Sequence, residues 1–151
     1  MTKVIENERV ACTPQEMEGF LDRFFANLPG KGPDSTLRVR VPLLGDAAIE
    51  KDVAASVSDL KAGEAESLLA IKWEPSGGGP YPRFRGILSV RPGQESHACL
   101  IALEGEYDPP GGLLGHLFGR SLGPLIARKT MRDLLDRLKH GAEAELRSRA
   151  G

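Results

Sequence analysis

The sequence predicts an α+β fold, in which a curved antiparallel sheet of about six strands wraps around one long C-terminal helix and a short helix follows the first strand. Several runs between residues 36 and 107 alternate apolar with polar residues, as strands with one buried face do. From Leu122 to Leu146 apolar residues recur every fourth position, which indicates a helix with one apolar stripe. Because each element has one apolar face, a helix lying across the concave side of the sheet buries all of them.

The N-terminal part of the chain contains a strand followed by a helix. Residues 3–12 are predicted to form the strand, although the polar run 6–8 interrupts its apolar residues. A helix start follows, with Thr13 as N-cap, Pro14 at the first helical position and Glu16 three residues after the cap. The apolar residues of this helix lie three and four positions apart and form one stripe, which consists of Met17, Phe20, Leu21, Phe24 and Phe25.

Five further strands are predicted from alternation with a period of two. The runs are 36–43, 49–60, 67–74, 83–91 and 97–107. Trp73, Phe84 and Tyr107 fall on the apolar faces of their strands, whereas Ser89 falls on the polar face of its strand. Segments rich in Gly and Pro, such as Ser76–Pro80, separate the runs and indicate short connections. We therefore expect an antiparallel sheet with one face buried and the other in contact with water.

The chain passes from the last strand into the long helix within residues 106–115. Pro109 and Pro110 cannot extend a ladder of backbone hydrogen bonds, because proline has no backbone N–H. Gly111 and Gly112 permit the sharp turn that brings the chain back over the sheet. This segment is therefore predicted to be the hinge between sheet and helix.

The long helix is predicted to begin at Pro124 and to reach about Ser148, roughly 37 Å at 1.5 Å per residue. Such a helix is longer than the edge of a small flat sheet, so the sheet is expected to curve along it. A core this elongated is difficult to fill, and we expect a cavity between sheet and helix. Ala55, Gly86 and Gly105 on inward faces either leave space there or permit a close approach of the helix.

Length and charge limit the classes of function. The chain has 151 residues, which is enough for one domain with its own core, and we expect a single domain over residues 1–151. Lys and Arg number 20 against 21 Asp and Glu, a balance that gives no general attraction to nucleic acid. No apolar run approaches the roughly 20 residues of a spanning helix, and the N-terminus lacks the apolar core of a signal peptide. We expect a cytoplasmic protein without membrane insertion, either a monomer or a homodimer.

Residues that could perform chemistry are scattered along the chain. His97, His116 and His140 are widely separated, and no Gly-x-Ser-x-Gly motif is present. Cys12 and Cys99 match no metal-ligand spacing and are interpreted as small, buried, reduced residues. The sequence therefore predicts no metal site, no cofactor and no catalytic residue.

Four segments resemble the START / Bet v 1-like superfamily, also called SRPBCC, and most of all a bacterial polyketide-cyclase-like group of mostly unknown function. They are Ile71-Lys72-Trp73-Glu74-Pro75, Tyr81-Pro82-Arg83-Phe84-Arg85-Gly86, Leu103-Glu104-Gly105-Glu106-Tyr107-Asp108-Pro109-Pro110-Gly111, and the long helix with Ala127 and Thr130. The resemblance implies the helix-grip fold and a pocket for a hydrophobic or amphipathic small molecule. In this fold the first and last strands are antiparallel neighbours, so the thiols of Cys12 and Cys99 are expected to lie close together.

Three functions remain open at this point. The first is a non-enzymatic binding protein for a hydrophobic or amphipathic small molecule, whose pocket walls are Trp73, Phe84, Leu88, Leu103, Tyr107, Ile126, Thr130 and Leu134. The second is a polyketide cyclase- or dehydratase-like enzyme that uses Tyr107, Asp108 or His116 to transfer protons. The third is an interaction protein with a filled core, whose outer surface binds a partner chain and carries an exposed apolar patch.

Overall fold

Six antiparallel strands form one sheet in the order β1-β6-β5-β4-β3-β2, and two helices accompany it. The computed structural model describes residues 2–28, 35–42, 48–60, 66–75, 83–108 and 113–150. The elements are β1 (Thr2–Val10), α1 (Pro14–Ala26), β2 (Ser35–Pro42), β3 (Ala48–Leu60), β4 (Ser67–Pro75), β5 (Arg83–Pro92), β6 (Cys99–Asp108) and α2 (Leu113–Ala150). The predicted α+β order, with a short helix after the first strand and a long helix at the end, is confirmed.

The sheet curves around α2. The helix contacts both β1 and β2, which are the two edge strands of the sheet. Six strands span roughly 24 Å when flat, at about 4.8 Å per strand spacing. A helix is only about 10–12 Å wide with its side chains, so it reaches both edges only if the sheet bends around it. The predicted grip of the sheet on the C-terminal helix is therefore present.

Helix α1 begins as the sequence predicts and packs against α2. The Thr13 hydroxyl accepts a hydrogen bond from the Glu16 backbone N–H, and the Glu16 carboxylate accepts one from the Thr13 backbone N–H. This capping box satisfies backbone donors that an uncapped helix start would leave open. The ring of Phe20 lies where a side chain at Gly141 would stand, since a Cβ there would be 2.6 Å from Phe20 Cζ. Gly141 thus allows α1 to pack closely on α2.

Two predicted boundaries are wrong. Helix α2 starts at Leu113, so Pro124 lies inside it rather than at its first position. Strand β1 ends at Val10 rather than Cys12, because the Cys12 N–H donates to the Val10 carbonyl and turns the chain out of the ladder. The predicted tight connection at 76–80 and the turn at 109–112 lie outside the described residues.

Strand register shows which side chains face the helix. Glu6 of β1 lies opposite the buried Leu103 of β6, and Glu8 lies opposite the buried Ile101. Both carboxylates therefore occupy the inner face, where the alternation of β1 places Val4 and Val10 as well. Ser89 lies on the outer face, as its place in the alternation predicts. Its exposure to water is wrongly predicted, because this small side chain is buried.

The two inward carboxylates of β1 are paired with cations of α2. This charged seam consists of Glu6, Glu8, Arg128, Arg132 and Lys139. Arg128 Nε lies 3.3 Å from Glu6 Oε1, and Arg132 Nη2 lies 3.4 Å from Glu8 Oε2. Arg132 and Lys139 also donate to the β1 carbonyls of residues 7 and 9, at 2.6 and 3.0 Å. The seam therefore fastens the helix to the edge strand and occupies carbonyls that the strand would otherwise expose.

Within the part of the chain that the structure describes, no helix is both long enough and apolar enough to cross a membrane.

Candidate functional site

Three aromatic side chains form a row across β4, β5 and β6, near one end of these strands. Trp73 on β4 lies opposite Phe84 on β5, and Phe84 lies opposite Tyr107 on β6. The rings of Trp73 and Phe84 stack, with centroids 4.6 Å apart and an interplanar angle of 28°. All three residues are buried, with no more than 2% of their surface exposed. This aromatic row brings together the three aromatic residues that the sequence predicts as pocket walls.

Gly86 and Gly105 lie directly opposite each other, two residues along the strands from Phe84 and Tyr107. A Cβ at Gly86 would stand 2.3 Å from the Glu104 carbonyl oxygen and 2.5 Å from Phe84 Cζ. The Phe84 ring therefore lies along its own strand and covers the glycine, as aromatic side chains do beside glycines in sheets. Neither predicted alternative, open space or a close approach of the helix, describes Gly86 and Gly105, because the atoms nearest a Cβ there belong to β5 and β6 and include the Phe84 ring.

The rest of the predicted wall lies on the same side of the sheet and on α2. Leu88 and Leu103 lie opposite each other, four residues along the strands from Phe84 and Tyr107. Thr130 and Leu134 approach from α2, and all four are buried. The side chain of Ile126 lies outside the described residues. Other members of this core were not predicted as wall residues, and they include Leu37, Ile71, Ala127 and Met131. Their positions in the strand and helix patterns mark them as core but carry no sign of a ligand.

Two polar atoms in the aromatic row are buried without a partner. Trp73 Nε1 and the Tyr107 hydroxyl oxygen form no hydrogen bond of ordinary geometry with any described residue. Burial raises the pKa of Tyr107 to about 12, while the nearby Thr130 hydroxyl acts in the opposite direction. A hydroxyl that lowers a tyrosine pKa donates toward the phenolic oxygen, so Thr130 is not an acceptor for the Tyr107 proton in this contact. At neutral pH Tyr107 therefore keeps its proton, and no described residue accepts a hydrogen bond from its O–H in ordinary geometry.

The chemistry of this region is that of hydrogen-bond donation in an apolar setting. An indole N–H is a donor only, and a protonated phenol can donate or accept. Among the described residues, the buried polar side chains are Ser89 and Thr130, and no charged side chain is buried. A tyrosine with a raised pKa is a poor general base at neutral pH, so this arrangement favours binding and orienting an oxygen rather than removing a proton. Asp108 and His116, the other predicted proton-transfer groups, have side chains outside the described residues.

A second group of reactive atoms lies at the opposite end of the core. The Sγ atoms of Cys12 and Cys99 are 3.9 Å apart, and Cys12 Sγ is also 3.9 Å from Met17 Sδ. The predicted proximity of the two thiols is thus confirmed. The hydrogen bond between the thiols lowers the pKa of Cys12, whereas the same bond and burial raise the pKa of Cys99. This sulfur cluster is packed within the core, and Met17 is a member that the sequence did not predict.

Other titratable residues do not assemble into a site. In the ranges that the structure describes, no group of three or more His, Cys, Asp or Glu residues could hold a metal ion. His97 and His140 are exposed, the first in the connection between β5 and β6 and the second on α2. Glu6 and Glu8, which the sequence analysis interpreted only as an interruption of a strand, belong instead to the charged seam. Glu6 and Glu8 are an even number of residues from Val4 and Val10. This spacing could have shown that they face inward, since alternate residues of a strand share a face.

Comparison with known proteins finds likeness in structure alone. No family model matches the sequence, and no curated protein matches it. A conserved protein from Geobacillus kaustophilus superposes with a TM-score of 0.60 at 16% identity, over 95% of this chain and 96% of the other. An uncharacterized protein from Bacillus thuringiensis gives 0.55 at 13% identity, over 93% and 98%. The Zhui aromatase/cyclase from a Streptomyces species gives 0.51 at 11% identity, over 99% and 96%.

Identities this low establish fold and nothing finer. The neighbours are matched over nearly their whole length, so the likeness extends over the sheet and both helices. A six-stranded antiparallel sheet gripping a long C-terminal helix, with a short helix after the first strand, is the arrangement that the sequence predicts. The chain therefore has the helix-grip, SRPBCC-like fold.

Proposed function

We propose that this protein binds a hydrophobic or amphipathic small molecule between the sheet and α2, beside the aromatic row. The observation that carries the proposal is a pair of buried donors, Trp73 Nε1 and the Tyr107 hydroxyl, for which no described residue is an acceptor in ordinary geometry. Leaving a buried donor unsatisfied costs about 1–3 kcal/mol, so the two donors together would lower the stability of the ligand-free protein by twice this amount. A bound molecule that accepts hydrogen bonds offsets the cost.

The surroundings of these donors support a small organic ligand. Phe84, Leu103 and Leu134 are buried apolar side chains of the same core. Apolar pockets with a few well-placed polar groups are the usual form of small-molecule sites. One neighbour of the same fold is named as an aromatase/cyclase, which is consistent with a ligand of this kind. The predicted walls, including Leu88, Thr130 and Ile126, remain the proposed contact residues.

Tryptophan fluorescence offers a direct test, because Trp73 is the single tryptophan of the chain. Native mass spectrometry of the freshly purified protein is expected to detect a co-purified small molecule. After its removal, a panel of fatty alcohols and polycyclic aromatic compounds is expected to contain members that raise the melting temperature and alter Trp73 emission. The thermal shift is followed by circular dichroism, which does not depend on Trp73 emission, and Trp73→Phe, which lacks one of the two donors, is expected to show a smaller shift. A protein that binds no member of the panel and carries no small molecule would contradict the proposal.

A cyclase- or dehydratase-like enzyme is the second candidate, and one observation favours it. The buried, protonated Tyr107 hydroxyl could donate to a substrate carbonyl and stabilise charge that develops on its oxygen. Turnover of an aromatic polyketide-like ketone that Tyr107→Phe slows at least tenfold, with unchanged substrate affinity, would favour this candidate. Binding without turnover would favour the first.

An interaction protein is the third candidate, and it has a different observation behind it. Ile5 and Ile87 are exposed to 63% and 40% on the outer face of the sheet. Both lie opposite Glu104, which separates them. Light scattering of wild type and the double variant Ile5→Ser, Ile87→Ser tests this candidate, since loss of a defined oligomer would support it.

A further inference from the structure

The sulfur cluster joins two segments that are far apart in the chain. Cys12 lies in the turn between β1 and α1, and Cys99 is the first residue of β6. Both thiols are free, and their Sγ atoms are 3.9 Å apart although 87 positions separate the two residues. A disulfide bond is about 2.05 Å long, so the two sulfur atoms need to approach by roughly a further 1.9 Å to form one.

Cys12 has the freedom to make this approach. Cys99 is held in the sheet on both sides, opposite Val10 of β1 and Pro92 of β5. Cys12 lies outside the ladder, and its backbone N–H donates to the Val10 carbonyl within the turn. A change of the Cys12 side-chain torsion, with a small shift of the turn, therefore brings its sulfur to Cys99 while the sheet stays intact.

The two thiols differ in reactivity. The hydrogen bond between them lowers the pKa of Cys12, and this effect exceeds the opposing effects of burial and of the Glu16 and Glu143 carboxylates. The same bond and burial raise the pKa of Cys99. Cys12 also keeps 2% of its surface exposed, whereas Cys99 keeps none. Because the thiolate is the form of cysteine that attacks an oxidant, Cys12 is the thiol that a small oxidant meets first.

Contacts on either side of Cys12 connect it to both helices. The Ala11 N–H donates to Glu143 Oε2 of α2 at 2.9 Å. Thr13 and Glu16 form the capping box at the start of α1. A covalent bond from Cys12 to β6 therefore restrains the turn together with these contacts, and it holds the first turn of α1 against the sheet.

We propose that Cys12 and Cys99 form a reversible, peroxide-sensitive disulfide in the folded protein, which fixes the β1–α1 turn to β6 and does not depend on the proposed ligand binding. The Cys12 thiolate attacks one oxygen of hydrogen peroxide, the O–O bond breaks, and the second oxygen leaves as hydroxide while Cys12 becomes a sulfenic acid. The Cys99 sulfur then attacks Cys12 Sγ, and the Cys99 proton leaves with the sulfenic hydroxyl as water. Two thiols are thus oxidised to one disulfide, and one peroxide is reduced to two waters. A dithiol reductant restores both thiols by exchange.

Brief treatment of the reduced, folded protein with hydrogen peroxide tests the proposal without any denaturant. Catalase removes the excess peroxide, the remaining thiols are alkylated in urea, and the intact mass is measured. We expect a monomer that has lost two hydrogen atoms and carries no alkyl group, a peptide map that links Cys12 to Cys99, and the return of both thiols with dithiothreitol. Thiols that stay free in the folded protein and oxidise only in urea would overturn the proposal, as would disulfides between two chains.

Single variants separate the roles of the two thiols. In Cys99→Ser, Cys12 is expected to accumulate as a sulfenic acid that dimedone traps, because no second thiol is within reach. In Cys12→Ser, Cys99 is expected to react about tenfold more slowly than Cys12 does, because it is fully buried. Circular dichroism checks that each variant is folded, and alanine replaces serine where it is not. Equal or faster reaction of Cys99 would overturn the assignment of Cys12 as the attacking thiol.

Hydrogen exchange measures the effect of the disulfide on the turn. Oxidation is expected to slow the exchange of the Ala11 and Glu16 amides about tenfold, because the cross-link opposes local opening of the turn, and reduction is expected to reverse this. The matched control is Cys99→Ser treated with the same peroxide, which forms no disulfide and should keep its exchange rates. Unchanged exchange at both amides in the disulfide form would overturn the fixing of the turn.

Discussion

The two ends of the inner face of the sheet are built differently. At one end lies the sulfur cluster of Cys12, Met17 and Cys99, where the sulfur atoms contact one another and helix α1 covers them. At the other end lies the aromatic row, where two donors have no partner among the described residues. Both ends are buried within the same core. Burial alone therefore does not distinguish the two ends, whereas the hydrogen bonding of their polar atoms does.

The two ends of the inner face also differ in which strands and helices begin or end there. Strand β1 ends and α1 begins at the end with the sulfur cluster. The capping box fixes the start of α1 there, and the packing of Phe20 on Gly141 holds α1 against α2. Strands β4 and β6 end, and β5 begins, next to the aromatic row. The end with the sulfur cluster is thus covered by α1, and we call it the closed end. The other end has the features on which the proposed binding depends, and the following predictions test the contrast.

The largest expected effect is a cross-link at the closed end. Cys12 and Cys99 are 87 positions apart in the chain, and their sulfur atoms are already adjacent. Oxidised glutathione in mild urea should convert the two thiols to a disulfide and itself be reduced to two thiols. The disulfide is expected to raise the free energy of unfolding by about 4–5 kcal/mol, because it shortens a long loop of the unfolded chain. Urea denaturation measures this change, and Cys12→Ser, which forms no cross-link, is the control.

Before oxidation, alkylation and mass spectrometry are expected to find both thiols free. A cross-linked protein that is no more stable than the reduced protein would mean that the sulfur cluster is not packed as described.

A truncation at the closed end comes next in size. Met17 is fully buried against Cys12, so Met17→Ala removes packed atoms that no neighbour can replace. We expect the free energy of unfolding to fall by about 3 kcal/mol, within the usual range for Met→Ala in cores. Ile87→Ala on the outer face is the matched control and is expected to cost less than about 1 kcal/mol. Equal losses in the two variants would show that the sulfur end is not the tightly packed region.

An alkaline titration addresses the aromatic row. The pKa of Tyr107 is raised from 10.0 to about 12, so above pH 10 the unfolded chain loses this proton before the folded protein does. Stability from this group is complete below pH 10 and is lost as the pH rises to about 12, a fall of about 2–3 kcal/mol. Urea denaturation at pH 9 and pH 11.5 should show the fall in wild type and a smaller fall in Tyr107→Phe.

The titration of Tyr107 itself can be followed in Tyr81→Phe, which has one tyrosine left. Tyrosinate absorbance is expected to rise with a midpoint near pH 12. A midpoint near pH 10 in the folded protein would mean that the Tyr107 hydroxyl is in contact with water.

The smallest expected effect has the opposite sign. Tyr107→Phe removes a buried hydroxyl that has no acceptor of ordinary geometry among the described residues, so at pH 7 the ligand-free protein should keep its stability or gain up to about 1 kcal/mol. Thermal and urea denaturation measure this after the removal of bound small molecules. A loss greater than about 1 kcal/mol would reveal a partner for the hydroxyl and would weaken the contrast between the two ends.

Much of the fold could be predicted from local patterns. The parity of Trp73, Phe84 and Tyr107 placed them correctly on the inner face, because alternate residues of a strand share a side. The capping residues Thr13 and Glu16 predicted the start of α1, since their hydrogen bonds span only three residues. The start of α2 was predicted eleven residues late, because a proline favours the first helical turn and gives no indication that a helix already precedes it.

The candidate site was predictable only in part. That Trp73 and Tyr107 are buried follows from their positions in the strands, but that their polar atoms lack partners depends on every group around them. The pairing of Glu6 and Glu8 with cations more than a hundred residues later depends on how α2 crosses the edge strand. These are long-range contacts, and no periodicity within one element records them.

The sequence by itself determined which elements form, in what order, and which face of each is apolar, because these properties depend on the spacing of neighbouring residues. The tertiary structure alone decided which inward groups meet. It brought Met17 Sδ within 3.9 Å of Cys12 Sγ, paired the carboxylates of β1 with α2, and left two donors of the aromatic row without a described partner. The physical reason is that hydrogen bonds, ion pairs and packing act over a few ångströms in space, across distances along the chain that local patterns do not encode.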